Sequence, residues 1–482
     1  MSEADLPDSA TQQSMASPLA AVMRREPIVC APTTPVRDAI SRMRTHRIGS
    51  IVVVDTAGAP IGIFTLRDLI DRVTPDSAAL DALISSVMTG DLYTLPPSAT
   101  VYEAALAMLR RGIRHVLVVE GSRLVGIVSE KDLFSLQRVS MRQLAGAIRG
   151  AVSIEELVGF AHEIREHARK MLGLGVAPEP LTQFIASLND LLTQRVIDVE
   201  FRAMSENAPR YCWIALGSEG RYEQTFYTDQ DNAIIFEAGG EADRLRARLL
   251  TCAARVNRSL DRCGFPLCKG DIMAGNPRWC LSLEEWQHRF ANWIDTGEPQ
   301  ALLHGAIFFD FRPLHGDASL ADTLRQWLMA HARQTPRFLH QMADNALQNR
   351  PPLGMLRDFV TGGDDRHPNT IDLKLHGATL FADAARIYSL ANGIVHTNTC
   401  ERLRRFGHLR KLDPKEVHAW VDGFLYIQML RLRNQHQAHL RGAALSNRID
   451  PDRLNLLERT ILKEALKQAR TLQSRLALDY RV

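Results

Sequence analysis

Apolar positions in the first third of the chain form a pattern that occurs twice. VMRREPIVCAPTTPVRDAISRM returns as VMTGDLYTLPPSATVYEAALAM, so Met23 matches Met88, Val36 matches Val101, Ala39 matches Ala104 and Met43 matches Met108. HRIGSIVVVDTAGAPIGIFTLRDL then returns as RGIRHVLVVEGSRLVGIVSEKDL. Each unit predicts an amphipathic helix, a β-branched strand, a glycine-containing hairpin turn, a second strand, and a helix starting at Asp68 or Asp132. One unit alone leaves an apolar sheet face uncovered, so the two, about 21–75 and 86–138, are expected to pack as one domain over 21–138. The preceding residues 1–20 read as a flexible tail, with neither the basic start nor the apolar core of a signal peptide.

Beyond the repeat the period becomes helical. AVSIEELVGFAHEIREHARKMLGLG and LTQFIASLNDLLTQRVIDVEFRAM predict two helices in a connector over 139–207. A core over 208–335 follows, with short strands at YCWIAL, TDQDNAIIF and AIFFDFRPL. Trp286, Phe290 and Trp293 fall at helical spacing and read as a core stripe. Residues 345–482 are helical throughout and predict a bundle. Lys374, Arg386 and Arg431 are its candidate cleft residues, and ERLRRFGHLRK is read as a solvated basic helix. The expected architecture is therefore multidomain α/β plus all-α, with a mixed sheet in the core.

Candidate chemistry lies in WIALGSEGRYEQTFYTDQDNAIIF, Trp213 to Phe236. Gly217-Ser218 breaks the first strand where glycine permits close backbone approach to a ligand. Glu219 to Gln224 is expected to open a short helix whose free amides favour a phosphate. Alternation along the next strand puts Asp229 and Asp231 on one face and Gln230 on the other. Two carboxylates on one face repel unless a cation sits between them, and a divalent metal is the usual answer. Asp310 is expected on a further strand, with Phe308 and Arg312 on its face, and is the candidate third carboxylate. Arg221 is a candidate phosphate contact and Glu223 its structural neighbour. Cys268, in CKGDIMAGNP, reads as a packed side chain.

The repeat resembles a tandem pair of CBS modules, carrying Gly62, Thr65 and Asp68 in the first unit and Gly126, Ser129 and Asp132 in the second. That resemblance implies an adenine nucleotide as ligand, with the hydroxyls toward phosphate and the aspartates toward ribose, and a homodimer formed through the pair. An alternative is that Thr65 and Ser129 are simply helix N-caps. Gly-Ser, then Asp-x-Asp, then a later aspartate resembles the nucleotidyltransferase superfamily. The nearest branch is that of the glutamine synthetase adenylyltransferase and the nitrogen-signalling uridylyltransferase. The order of CBS pair, helices, core and helical C-terminal region resembles the CBS-domain nucleotidyltransferases of bacteria. That family implies a magnesium-dependent transfer of a nucleoside monophosphate from ATP or UTP to an acceptor, a protein or a small molecule. Asp229, Asp231 and Asp310 would hold two Mg2+ ions and carry catalysis, and Gly217, Ser218 and Arg221 would hold the nucleotide. The C-terminal region would bind substrate.

Composition narrows the field without choosing within it. Across 482 residues the hydrophobic fraction is 45%, the charged fraction 23% and the net charge +3. No concentrated basic face points to nucleic acid or membrane. The 7 cysteines are scattered without CxxC spacing, which argues against a disulfide framework or zinc site and fits a cytoplasmic location. A non-catalytic nucleotide-sensing adaptor built on the same fold is the competing reading.

Overall fold

A computed structural model describes residues 17–23, 26–46, 48–73, 80–111, 113–129, 143–202, 209–354, 358–362 and 368–482. The chain divides into two compact units, 1–146 and 147–482.

In the first unit, each repeat builds a three-stranded sheet of the same order. Strands β1 (Val29–Cys30), β2 (Ser50–Val54) and β3 (Pro60–Thr65) form one, and β4 (Thr94–Leu95), β5 (His115–Glu120) and β6 (Arg123–Ser129) the other. Helix Val36–His46 buries Val36, Ala39 and Met43 against the first sheet, as its spacing predicts. The starts of the two repeats are exchanged, however. Leu19 and Val22 pack with Val101, Ala104 and Val116 of the second repeat, whereas Ile84 and Val87 pack with Val36, Ile51 and Phe64 of the first. Two glycines make this exchange fit: a Cβ on Gly62 would lie 2.1 Å from Met88 Sδ, and one on Gly126 would lie 1.9 Å from Met23 Sδ. The matched methionines thus cover the partner repeat, which self-alignment alone could not show.

The helix expected to start at Asp68 begins at Leu66 instead, with Thr65 as its N-cap. Asp68 N donates to Thr65 Oγ1 at 3.4 Å, and Thr65 N donates to Asp68 Oδ2 at 2.9 Å, a closed capping box. Ser129 ends β6, and Asp132 lies outside the described residues.

The second unit centres on a four-stranded mixed sheet of order β10-β7-β8-β9. These are β7 (Tyr211–Ala215), β8 (Asn232–Phe236), β9 (Cys280–Ser282) and β10 (Arg312–Gly316); only β8 and β9 run parallel. β7 and β8 are buried at every position, because helices cover both faces. The aromatic stripe of Trp286, Phe290 and Trp293 is core, with Trp286 Nε1 donating to Ile234 O at 2.9 Å. The sheet and the C-terminal helices share one hydrophobic cluster, running from Cys212 to Leu476. The connector helices Ile154–Gly173 and Pro178–Phe201 pack onto this body: Asn189 donates to Gln224 at 3.1 Å and Arg312 to Asp190 at 2.5 Å.

Two expectations need correction. AIFFDFRPL is not one strand: helix Pro299–Phe308 runs into a turn at Phe309-Asp310, and β10 starts at Arg312. Phe308, Phe309 and Phe311 are all fully buried across this change of direction. Likewise, β8 begins at Asn232, so Asp229 and Asp231 stand on the extended segment just before it.

The exchange predicts a coupling. Gly62→Ala should destabilise the first unit by about 1–3 kcal/mol through overpacking. Adding Met88→Ala should cost less than the sum of the two single changes, because the clash and the cavity offset each other. Calorimetric unfolding of the full chain checks this, and strict additivity would contradict the contact.

Candidate active site

β7 and β8 bring the Gly-Ser turn and the aspartate pair together. Beyond the strand ends, Leu216 N still donates to Asp231 O at 2.9 Å. Gly217 then takes φ 53°, and a Cβ there would lie 2.9 Å from Asp231 Oδ2. Only glycine allows the turn to sit this close to the carboxylate. The short helix covers Gly217–Gly220, earlier than expected, and Gly220 passes so close to Asp310 O that a Cβ would come within 2.0 Å.

The residues flanking the aspartates are committed inward. Gln230, 2% exposed, donates to Asn257 O at 2.9 Å and Phe265 O at 2.8 Å. Asn232 Oδ1 accepts from Asn257 Nδ2 at 3.0 Å and from Ala274 N at 2.8 Å. With Gln230 and Asn232 pinned inside, Asp229 and Asp231 are left half-buried rather than engulfed. Burial, then the neighbouring Asp229 charge, push the Asp231 carboxyl up to about 7, against the opposing pull of Cys268, Lys374 and Arg221. Cys268 Sγ lies 3.4 Å from Asp231 Oδ1, and burial together with Asp231 pushes that thiol up to about 11. Asp271, next to Ile272 whose carbonyl accepts from Asn232 N at 3.2 Å, is exposed and held at φ 54°. Glu219 is buried and pushed up to about 8 by desolvation and by Asp190, with Arg312 opposing and Asp231 adding to the rise.

Asp310 does something else. It is fully buried, and three guanidinium groups converge on it: Arg386 at 3.0 and 2.7 Å, Arg402 at 2.6 Å and Arg221 at 2.7 Å. Burial alone would raise its carboxyl, but Arg386, Arg402 and Arg221 overcome that and hold it well below the usual carboxylate range. Among the described residues no set of three or more His, Cys, Asp or Glu side chains is placed to hold a metal. Asp310 is therefore not gathered with Asp229 and Asp231, and its oxygens are already engaged.

Arg221, the candidate phosphate contact, is clamped between Glu223 at 2.7 Å and Asp310. The C-terminal helices close over this turn: Thr397 Oγ1 donates to Gly220 O at 2.7 Å, Asn398 Nδ2 to Arg221 O at 3.0 Å, and Thr399 N to Glu223 Oε1 at 2.8 Å. Arg402 belongs to the basic run read as solvated, yet it is 1% exposed. Its burial follows a helix face that also carries Cys400, Leu403 and Phe406, a pattern masked in the sequence by four arginines in the run.

The chemistry of the pair suits a divalent cation. The Asp229 charge helps drive the Asp231 carboxyl upward, and that carboxylate packs against a turn that only glycine fits. A small hard cation needs only one or two protein carboxylates when phosphate and water complete its shell.

A family model described as "Putative nucleotidyltransferase DUF294" matches residues 162–300, and one described as "Putative nucleotidyltransferase substrate binding domain" matches 336–480. The CBS domain model matches 19–74 and 84–138. The chain belongs to the CBS-domain nucleotidyltransferase family. The matched nucleotidyltransferase span contains Asp229 and Asp231 and stops before Asp310. An uncharacterised protein of Methanopyrus kandleri is 34% identical over 24% of this chain, spanning 60% of that relative's length. An A-adding tRNA nucleotidyltransferase of Aquifex aeolicus is 27% identical over 26% of this chain and 15% of its own. Among solved structures, an uncharacterised conserved protein of Pyrococcus horikoshii is 29% identical, covering 26% of this chain and 96% of its own at TM-score 0.25.

Removing the charge of Asp310 should be costly. Asp310→Asn leaves buried arginines uncompensated and is expected to destabilise the second unit by about 3–5 kcal/mol. Because the folded carboxyl is depressed, its stabilisation is fully present above the ordinary carboxylate range, about pH 4, and is lost as pH falls below it. Acid unfolding followed by circular dichroism should therefore be less steep in Asp310→Asn than in the parent chain. Equal stability and equal acid sensitivity would contradict the cluster.

Proposed function

We propose that the protein transfers a nucleoside monophosphate from a nucleoside triphosphate to an acceptor hydroxyl in a magnesium-dependent reaction. The observation that carries this is the close approach of Gly217 to Asp231, which sets a bare backbone turn against the Asp231 carboxylate. In this reading Asp229 and Asp231 hold the cation, and the Gly217-Ser218 backbone lies along the triphosphate. The divalent ion, when bound, supplies neutralisation of charge on the triphosphate and on the departing pyrophosphate. The chain's own work is positioning: the inward anchors Gln230 and Asn232 fix the carboxylates, and the Arg221-Asp310 contact fixes the turn. Asp310 has no part as base or ligand here, since three arginines keep it ionised and occupied. The charge of Lys374, in the C-terminal region, opposes the rise of the Asp231 carboxyl. That supports a substrate-binding role for the region.

The donor in this reading is ATP or UTP, and the acceptor a protein or small molecule. The CBS pair takes an adenine nucleotide near Thr65, Asp68, Ser129 and Asp132 as a regulatory ligand, and pairs two chains into a homodimer. Both Asp68 oxygens already accept hydrogen bonds, from Thr65 at 2.7 Å and Thr89 at 3.1 Å, so ribose would have to share them. All seven cysteines are free, which fits a reducing cytoplasm.

Purified protein, magnesium and each α-labelled nucleoside triphosphate in turn, with cell extract as acceptor, test the proposal. Label transferred to one component by the parent chain, and lost in Asp229→Asn/Asp231→Asn, is the expected result. No transfer from any donor, with nucleotide still bound, would favour the adaptor.

A further inference from the structure

Most buried arginines described in this unit meet carboxylates, but Arg325 and Arg431 do not. On helix Pro414–Leu440 Arg431 is 5% exposed, and it donates only to neutral oxygens: Nε to Asn447 Oδ1 at 3.0 Å and Nη1 to Gln428 Oε1 at 2.5 Å. Its Nη2 makes no hydrogen bond among the described residues. A largely buried guanidinium with no carboxylate partner is costly unless an anion joins it. Burial pushes Arg431 down to about 10, with Asp372 and Glu223 the acidic groups that partly offset this and Arg221 adding to it.

The surroundings of Arg431 lead to the carboxylate pair. Gln435, one turn along and fully buried, donates to Asn447 Oδ1 at 3.1 Å and to Thr225 Oγ1 at 3.2 Å, while its own Oε1 has no partner. Thr225 donates in turn to Tyr227 O at 3.2 Å, on the segment that leads into Asp229. From the other side, Asn447 O accepts from Leu373 N at 3.0 Å, and the next residue is Lys374. Lys374 is exposed, makes no ion pair among the described residues, and its charge acts on Asp231. Asn447 thus ties a buried cation and the segment of an exposed one into one frame.

We infer that Lys374 and Arg431 form a phosphate-binding site on the C-terminal helical region. Arg431 supplies a preorganised donor and Lys374 a mobile point charge. The biological meaning of the site rests on the transfer reading, and its phosphate comes either from the donor's triphosphate tail or from a phosphorylated acceptor.

Calorimetric titration of the full chain with inorganic tripolyphosphate, without metal, tests this apart from any turnover. The parent chain should bind, and Lys374→Ala and Arg431→Gln should each weaken binding about tenfold or more. Asp229→Asn/Asp231→Asn should bind at least as well as the parent, since repulsion is removed. That result would hold even if no transfer activity were ever found. Lys374 is exposed, so its variant reports on the site without a folding penalty. Arg431→Gln should leave the thermal midpoint unchanged or raised, because an unpaired buried charge is removed. Displacement of tripolyphosphate by nucleoside triphosphate would assign the site to the donor, and simultaneous binding would assign it to the acceptor. No binding by the parent, or parent-like binding by both cation variants, overturns the inference.

Discussion

A carboxylate with no access to water, Asp310, joins the two halves of the larger unit. Its partners come from three places: Arg221 from the turn after β7, Arg386 from helix Thr379–Asn392, and Arg402 from helix Thr399–Leu409. No one of these contacts is optional. A lone buried Asp310 would be protonated or unfold its surroundings, and the arginines without it would face the same desolvation cost. Glu223 and Asp383 complete the balance by taking the remaining donors of Arg221 and Arg386. Apolar packing supplies the bulk of the adhesion between sheet and bundle. The charge cluster supplies its register, since only one docking satisfies all of these groups.

That register is felt at the site. Gly220 lies against the Asp310 carbonyl and Gly217 against the Asp231 carboxylate, so the four-residue helix between them is held from both sides. Gln230 and Asn232 are committed inward and leave the two aspartates half-buried between them. Helices that pin the turn through Thr397, Asn398 and Thr399 belong to the same bundle that carries Lys374 and Arg431. The Gly217 turn and the proposed phosphate site are thus held by the same bundle, a favourable basis for positioning chemistry.

Much of this was legible in the chain, and the exceptions share a cause. The repeat, the helical C-terminal region and the juxtaposition of Gly217 with Asp231 follow from local period and spacing. The exchange of repeat starts does not, because Met23 and Met88 look alike and self-alignment cannot say which sheet each covers. Asp310 was misplaced because FFDF satisfies strand alternation as well as a helix end followed by a turn. The apolar count is the same in both, and only the tertiary contact with Gly220 and the arginines distinguishes them. Arg402 was hidden for a related reason: in a run of arginines, sequence does not mark which one turns inward.

In the proposed function the cation belongs to Asp229 and Asp231, and Asp310 serves as the fastening. Manganese binding followed by electron paramagnetic resonance, with each variant held below its unfolding temperature, tests it most directly. Asp231→Asn is expected to lose bound manganese while folded Asp310→Asn retains it. Loss of manganese in folded Asp310→Asn, with Asp231→Asn unaffected, would contradict it.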